Sequence, residues 1–357
     1  MSQLKVAIIF GGKSTEHAIS LRSTRGIMGQ IDRSKYDLKL IWIDLEGNWW
    51  LLNALDPDER ENARPITLIP GKDGARILNT ESCQLEGEID VAFPVLHGIF
   101  GEDGTIQGLF KMVNVAFVGC GVAGSAACMD KDVTKRLLRD AGIGIAPYLC
   151  ATREHAVSYE KACNELGSTV LFLKPASLGS SVGVHKVTNE AEYEAGLKDG
   201  LEYDIKVVIE PNIVGCEIEC AVLGNEAPRA SYPGEIVMET DAFYDFESKY
   251  ISKEAAKLNI PAIMTDDQIA QMRQMACDAF TACGCEGLAR VDFFMKEDGE
   301  MIINEINTLP GFTEVSMYPK MWGATGIGYT ELLDLLIELG MDRYKREQAL
   351  KIDSHPA

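Results

Sequence analysis

Four short aliphatic runs with no polar face set the first constraint on how this chain folds. They are KVAIIF (5–10), LKLIWID (38–44), VAFPVL (91–96) and VAFVGC (115–120). Each is too brief for a buried helix, and uninterrupted runs of this kind read as strands covered on both faces. An amphipathic stretch over Ser20–Ile31 lies between the first two. The pattern predicts a βαβ-type, mostly parallel sheet in the first third. At the N-terminus, one Lys and a short apolar run lead directly into Gly11-Gly12, which reads as a first strand and not as a secretion signal.

Beyond this region the period changes. Asp130 is placed as an N-cap, Val133, Leu137, Leu138 and Ala141 as one helix face, and Gly142 as the stop. A middle region carries strands LFLKPA (171–176) and VGVHKV (182–187) around a Gly/Ser loop, then a helix after Asn189 and strand KVVIEP (206–211). In the last third EIECAVLG (217–224), LARVDFFM (288–295) and MIINEIN (301–307) alternate like strands with one buried face. Asp298-Gly299 supplies a hairpin turn, and a helix from Asp266 puts Ile269, Met272, Ala276 and Phe280 on one side. With 357 residues, three domains are expected: 1–121, 122–213 and 214–345, with a polar tail at 346–357 that frays.

Charge narrows the function. Lys and Arg total 34 against 54 Asp and Glu, a net charge of −20. Such a field repels polyanions, so a nucleic-acid or anionic-membrane partner is not expected. A few placed cations can still hold one nucleotide. No apolar stretch is long enough to span a bilayer. The ten cysteines include no C-x-x-C pair, and most sit in apolar runs, which predicts free thiols in a cytoplasmic protein.

Two glycine motifs are incomplete. Gly12-Lys13-Ser14 resembles the end of a P-loop, but the upstream glycine position holds Ala7. Gly119-Cys120-Gly121-Val122-Ala123-Gly124 fits a dinucleotide fingerprint, but a helix stands where the second strand and its acidic residue belong. LKPASLGSSVGVHK (173–186) suits phosphate better, with a Lys at a strand end and Gly179, Ser180, Ser181 and Gly183 offering amides and hydroxyls. The plain alternative is an ordinary hairpin. The strongest constellation is ARVDFFMKEDGEMIINEINTLPGF. Arg290 and Asp292 share one strand face, as do Glu305 and Asn307 on the next. Two carboxylates and an amide oxygen suit a hard cation, and Arg290 beside them suits an oxyanion. The competing reading is a solvated face of paired charges. Glu16 and His97 follow strands, where ligands of open α/β sheets bind.

Together GGKSTEHAISL (11–21), FPVLHGIFGEDGTIQG (93–108), KPASLGSSVG (174–183), FYDFESKY (243–250) and NEINTLPGFTEVSMYP (304–319) resemble the ATP-grasp D-alanine–D-alanine ligases. The likeness runs in order from about residue 4 to 340. It implies an N-terminal parallel α/β domain followed by a two-domain α+β ATP-grasp fold. Lys131 and Lys174 would bind the α- and β-phosphates of ATP, with Ser181 beside them. Glu210 to Ile213 would meet adenine, Glu217 the ribose, and Lys249 the γ-phosphate. Asp292, Glu305 and Asn307 would hold two Mg²⁺, or Mn²⁺ in their place. Glu16 would take the ammonium of the first D-alanine, with His97 near its carboxylate. Arg290 and the Gly311 amide would form the oxyanion hole, while Ser316 and Met317 would seat the second D-alanine. Glu16, Ser180 and Tyr250 would form one hydrogen-bond chain.

The implied chemistry is ATP-dependent joining of two D-alanines through a D-alanyl phosphate, in peptidoglycan precursor synthesis, by a cytoplasmic homodimer. One departure is Cys216 where many relatives carry Arg, ahead of Glu217-Ile218-Glu219. The rival within the fold is a D-alanine–D-lactate or D-alanine–D-serine ligase of the vancomycin-resistance type. Lys249-Tyr250 argues against the lactate type, whereas the serine type can keep that pair.

Overall fold

The computed structural model describes residues 3–55, 62–238 and 256–351. The chain opens with β1 (Leu4–Gly11), α1 (His17–Gln30), β2 (Tyr36–Ile43), β3 (Trp49–Leu52), β4 (Arg64–Pro70), β5 (Ala75–Asn79), β6 (Leu85–Ile89), β7 (Val91–Val95), α2 (Thr105–Met112) and β8 (Ala116–Phe117). These strands form one sheet in the order β6-β5-β4-β3-β2-β1-β7-β8. β2, β1, β7 and β8 pair in parallel, as the apolar runs predict. From β2 outward the sheet continues as an antiparallel meander that was not anticipated. The run at 115–120 yields only the two-residue β8.

β1 shows why the inner strands are apolar throughout. Val6, Ile8 and Phe10 enter one core with α1 and the C-terminal helices, while Ala7 and Ile9 enter another with Ile41, Ile77 and Phe110. Next come α3 (Val122–Met129) and α4 (Lys131–Asp140). Asp130 caps α4, accepting from the Asp132 and Val133 amides, and Gly142 follows the helix at φ +73°. The buried residues of α4 are nonetheless Asp132, Thr134, Lys135 and Leu138, while Ala141 is exposed. Of the expected apolar face, Leu138 is buried and Leu137 packs beside it, but buried polar residues join them.

The second sheet holds β9 (Leu149–Thr152), β10 (Leu171–Pro175), β11 (His185–Val187) and β12 (Lys206–Pro211), all antiparallel, with α5 (Tyr159–Leu166) and α6 (Glu190–Tyr203) on one side. β9 and α5 were not anticipated. Along β10, Leu171 and Leu173 point into the core under the helices, leaving Phe172 and Lys174 on the opposite face.

The third sheet comprises β13 (Cys216–Gly224), β14 (Arg229–Ala230), β15 (Gly234–Met238), β16 (Ala256–Asn259), β17 (Gly287–Met295) and β18 (Met301–Asn307). Helix α7 (Asp266–Ala282) is capped by Thr265 and lays Met272, Ala276, Ala279 and Phe280 against the apolar face. Helices α8 (Met317–Ala324) and α9 (Tyr329–Gln348) close the chain and pack on the first sheet. The tail expected to fray from residue 346 is still helical through Gln348. Arg346 pairs with Glu286 at 2.7 Å, and buried Arg343 donates to the carbonyls of Phe117 and Gly119. Polar composition concealed these anchors.

Gly340 of α9 sits directly on the Phe117 carbonyl, leaving no room for a methyl group. Gly340→Ala is expected to destabilise the protein by about 1–3 kcal/mol through overpacking. The measurement is urea unfolding, and an unchanged midpoint would show that α9 can shift freely.

Candidate active site

The second and third sheets turn charged faces toward each other. On the third, Glu219 lies opposite Asp292, Arg290 opposite Asn307, and Asp292 opposite Glu305. Their neighbours Ile218, Cys220, Val291 and Phe293 fill the core beneath. Strand alternation thus sorts one sequence into a buried face and a charged one. Register slips by one residue after Asp292, making Asn304 the extra residue of a bulge. The Asn304 amide oxygen accepts from Lys174 Nζ across the gap at 3.1 Å.

Lys174 also meets Glu210 at 2.6 Å, and Lys135 of α4 pairs with the same carboxylate from the other side. Burial opposes charge on Glu210, but the two lysines overcome it and hold the carboxyl at about 2. Burial likewise works against the Lys174 ammonium. Glu210, Glu305 and Glu217 outweigh that effect and hold it above the ordinary lysine range. Lys131 donates to the Leu178 carbonyl at 2.6 Å and stands 4.0 Å from Glu305. Beside them Arg290 forks onto both oxygens of Asp292 at 2.7 Å each, reaches Glu219 at 3.2 Å, and shares Asp292 with the Asn307 amide at 2.9 Å.

A second group gathers at the carboxyl ends of β1 and β7. Glu16 is buried at the start of α1 and accepts from the Ser180 hydroxyl. Its other oxygen lies where a Cβ on Gly98 would fall. Ser180 and Ser181 both have positive φ, 52° and 60°, so the loop after β10 bends sharply to deliver that hydroxyl. His97 is buried between the Ser23 hydroxyl at 3.1 Å and the Leu309 carbonyl at 3.0 Å. Burial lowers its basicity more than Glu16 raises it, which favours a neutral ring with its Nδ1 hydrogen on Leu309. Glu102 accepts from the Gly98 amide at 2.8 Å and the Leu309 amide at 3.1 Å. Burial first, and Glu16 second, push its carboxyl up to about 8.

The remaining expected residues are distributed as follows. Gly311 is half-buried next to Ser316, whose Oγ accepts from the Thr313 amide at 2.9 Å. Met317 is buried in the core against Gly234. Ile213 and Glu217 are half-buried around the turn between β12 and β13. Lys249 and Tyr250 lie outside the described residues. Lys135, Asn304, Glu102 and Ser23 were missed, since burial of a charge or a bulge leaves no periodic signal. All ten cysteines are free. Among the described residues, no three His, Cys, Asp or Glu side chains converge as a metal cage, and no helix is long and apolar enough to cross a membrane.

Two antiparallel sheets facing each other with lysines on one and carboxylates on the other define an ATP-grasp fold. The family described as D-ala D-ala ligase N-terminus matches residues 5–120, and D-ala D-ala ligase C-terminus matches residues 137–338. The chain belongs to the D-alanine–D-alanine ligase family. It is 49% identical to D-alanine–D-alanine ligase of Proteus mirabilis (strain HI4320), covering 98% of this chain and 99% of that one. Among solved structures, the D-alanine–D-alanine ligase of Coxiella burnetii superposes with a TM-score of 0.86 at 38% identity, covering 97% of each chain. VanG D-Ala:D-Ser ligase of Enterococcus faecalis gives 0.84 at 34%, covering 95% of this chain and 100% of that one.

The Glu210 carboxyl gives the site a distinctive acid response. Its folded value lies below the ordinary glutamate 4.5, so its contribution to stability is complete above about pH 4.5 and declines as pH falls toward 2. Glu210→Gln leaves two buried lysines without their counter-charge and is expected to cost about 3–5 kcal/mol at neutral pH. The same variant should show a flatter loss of stability below pH 4.5 in a pH series of unfolding midpoints. Parallel acid limbs in the two proteins would contradict this account.

Proposed function

We propose that this protein joins two D-alanine molecules while converting ATP to ADP and phosphate, by way of a D-alanyl phosphate. The observation that carries the reading is the approach of Lys131 and Lys174 to Glu305 and Asn304 across the two sheets, beside the Arg290–Asp292–Asn307 group. A carboxylate is a poor electrophile, and phosphorylation supplies it with a leaving group. Lys131 and Lys174 suit the triphosphate, because phosphoryl transfer chiefly requires positioning and charge neutralisation. Ser181 and Lys249 join them in this reading, with Glu210, Ile213 and Glu217 toward the nucleoside. Glu16, braced by Ser180 and left space by Gly98, is suited to an ammonium group. Arg290 and the Gly311 amide would stabilise the tetrahedral oxyanion formed when the second amine attacks.

Asp292, Glu305 and Asn307 offer two carboxylates and an amide, a hard-oxygen set that fits Mg²⁺ once phosphate oxygens and water complete the shell. When bound, such cations neutralise charge on the phosphates. The Asn307 amide faces Asp292 through its nitrogen here, so an amide rotation would present its oxygen. The reading also includes a homodimer, supported by exposed Phe100, Leu109, Met112 and Val122 around α2. It places the enzyme in the cytoplasm, supplying the dipeptide to peptidoglycan synthesis, and divides the chain near residues 121 and 213, between the sheets.

The test is phosphate release with product analysis, offering D-alanine alone, with D-lactate, and with D-serine. D-Alanyl-D-alanine should predominate, whereas equal or greater yield of the lactate or serine product would transfer the assignment to those acceptors. For the metal group, Glu305→Gln should lower turnover by at least about tenfold with unfolding unchanged, since a charge is removed where phosphate charge must be balanced. Turnover near that of the unaltered protein would remove Glu305 from the assignment.

A further inference from the structure

The segment Thr308–Thr313 is irregular backbone between β18 and α8, yet its peptide groups are held from outside at both ends. At one end, Leu309 has both of its backbone groups engaged by the loop that follows β7. Its carbonyl faces His97 Nδ1 at 3.0 Å, and its amide donates to Glu102 at 3.1 Å. Glu102 uses its other oxygen to hold the Gly98 amide of that same loop at 2.8 Å. At the other end, Phe312 donates to the Ser23 hydroxyl at 3.2 Å, and its carbonyl accepts from Tyr329 at 2.6 Å. Ser23 in turn contacts His97 Nε2 at 3.1 Å. Between these clamps lie only Pro310 and Gly311.

We infer that Glu102 is a positioning residue: by bridging the Gly98 and Leu309 amides, it sets the direction of the Gly311 N–H. The inference rests on the proposed ligase reading, in which that N–H faces the developing oxyanion. Pro310 has no amide hydrogen and a fixed φ, so orientation imposed at Leu309 passes to Gly311 with little slack. Gly311 itself has no side chain to anchor it. Each amide meets a separate oxygen of the Glu102 carboxyl, and above about pH 8, where that carboxyl is ionised, both oxygens accept fully. A glutamine can serve only one of the two, because its nitrogen would meet the other amide donor to donor. Ser23 does the corresponding work at Phe312 and binds both that amide and the histidine of the first clamp.

The experiment compares Glu102→Gln and Ser23→Ala with the unaltered enzyme. It measures kcat, KM for ATP, thermal midpoint and affinity for a phosphinate analogue of the tetrahedral adduct. Misplacing an oxyanion donor should lower kcat about 10- to 100-fold in Glu102→Gln, with analogue affinity falling in step. KM for ATP should stay within about twofold, since the nucleotide groups lie on other strands. Ser23→Ala should show the same pattern with a smaller loss, and it decides the matter should Glu102→Gln fail to fold. A lowered midpoint with kcat and analogue affinity retained would reduce both residues to structural roles and overturn the inference. Failure of the unaltered protein to form a dipeptide would instead overturn the ligase reading on which it stands.

Discussion

Burying a lysine is costly unless another charge accompanies it, and this constraint organises the molecule. Removing two ions from water costs several kcal/mol each even after relaxation. Lys174 therefore points into the gap only in company with Glu210, which Lys135 braces from α4. The neighbouring groups obey the same condition. Lys206 lies between Asp130 and Asp132 at 2.8 Å from each, and Arg290 is satisfied by Asp292 and Glu219. In a chain of net charge −20, cations are thereby concentrated at one place and balanced before any substrate arrives. These charges are held in fixed orientations by one another.

This balance also explains which parts of the fold were legible. Strands buried on both faces or on alternate residues leave an apolar signature, and β1, β2, β7, β12, β13, β17 and β18 lie where that signature puts them. The meander from β3 to β6 leaves little. β6 reads LEGEI with one buried residue, and β4 begins and ends with Arg64 and Pro70 around only two buried positions. The alternation in these strands is short: Ile66 and Leu68 of β4 and Ala75 and Ile77 of β5 enter the core, but each run spans too few residues to stand out in the sequence. Helix α4 lies where its Asp130 cap and Gly142 stop put it, but its buried face differs from the expected one. Its buried Asp132 and Lys135 are solvated by Lys206, Tyr148 and Glu210, partners that lie distant in sequence. Hydrophobic periodicity can only treat such residues as exposed.

The candidate site shows the same division. Arg290, Asp292, Glu305 and Asn307 were legible because alternation alone puts them on one face. Asn304 was not, since its role depends on a bulge that shifts it out of step with its strand. Glu102 lies in the Gly-rich acidic loop after β7, where the sequence alone singles out His97 but not the acid. Its carboxyl accepts from the Leu309 amide, 207 residues further along. Met317, which the resemblance alone assigns to a substrate, has its side chain packed into the core. The neighbouring Ser316 bonds back to Thr313, so the two adjacent residues face different surroundings.

The loop after β10 exposes a conflict between local and functional demands. Ser180 and Ser181 occupy left-handed backbone at φ 52° and 60°, a conformation that glycine would adopt without strain. Holding two non-glycine residues there costs on the order of 1–3 kcal/mol each. Glycine at 180 would relieve that strain but remove the hydroxyl on Glu16. The bond between Ser180 and the buried Glu16 carboxylate is charge-assisted and offsets part of the backbone cost. Gly179 and Gly183, which flank the pair, have no comparable side-chain task. Gly183 carries φ +68° and would collide with Pro175 if it bore a Cβ, so glycine is required there by packing. Glycine at 183 thus answers a packing demand, whereas serine at 180 places a hydroxyl on the acid.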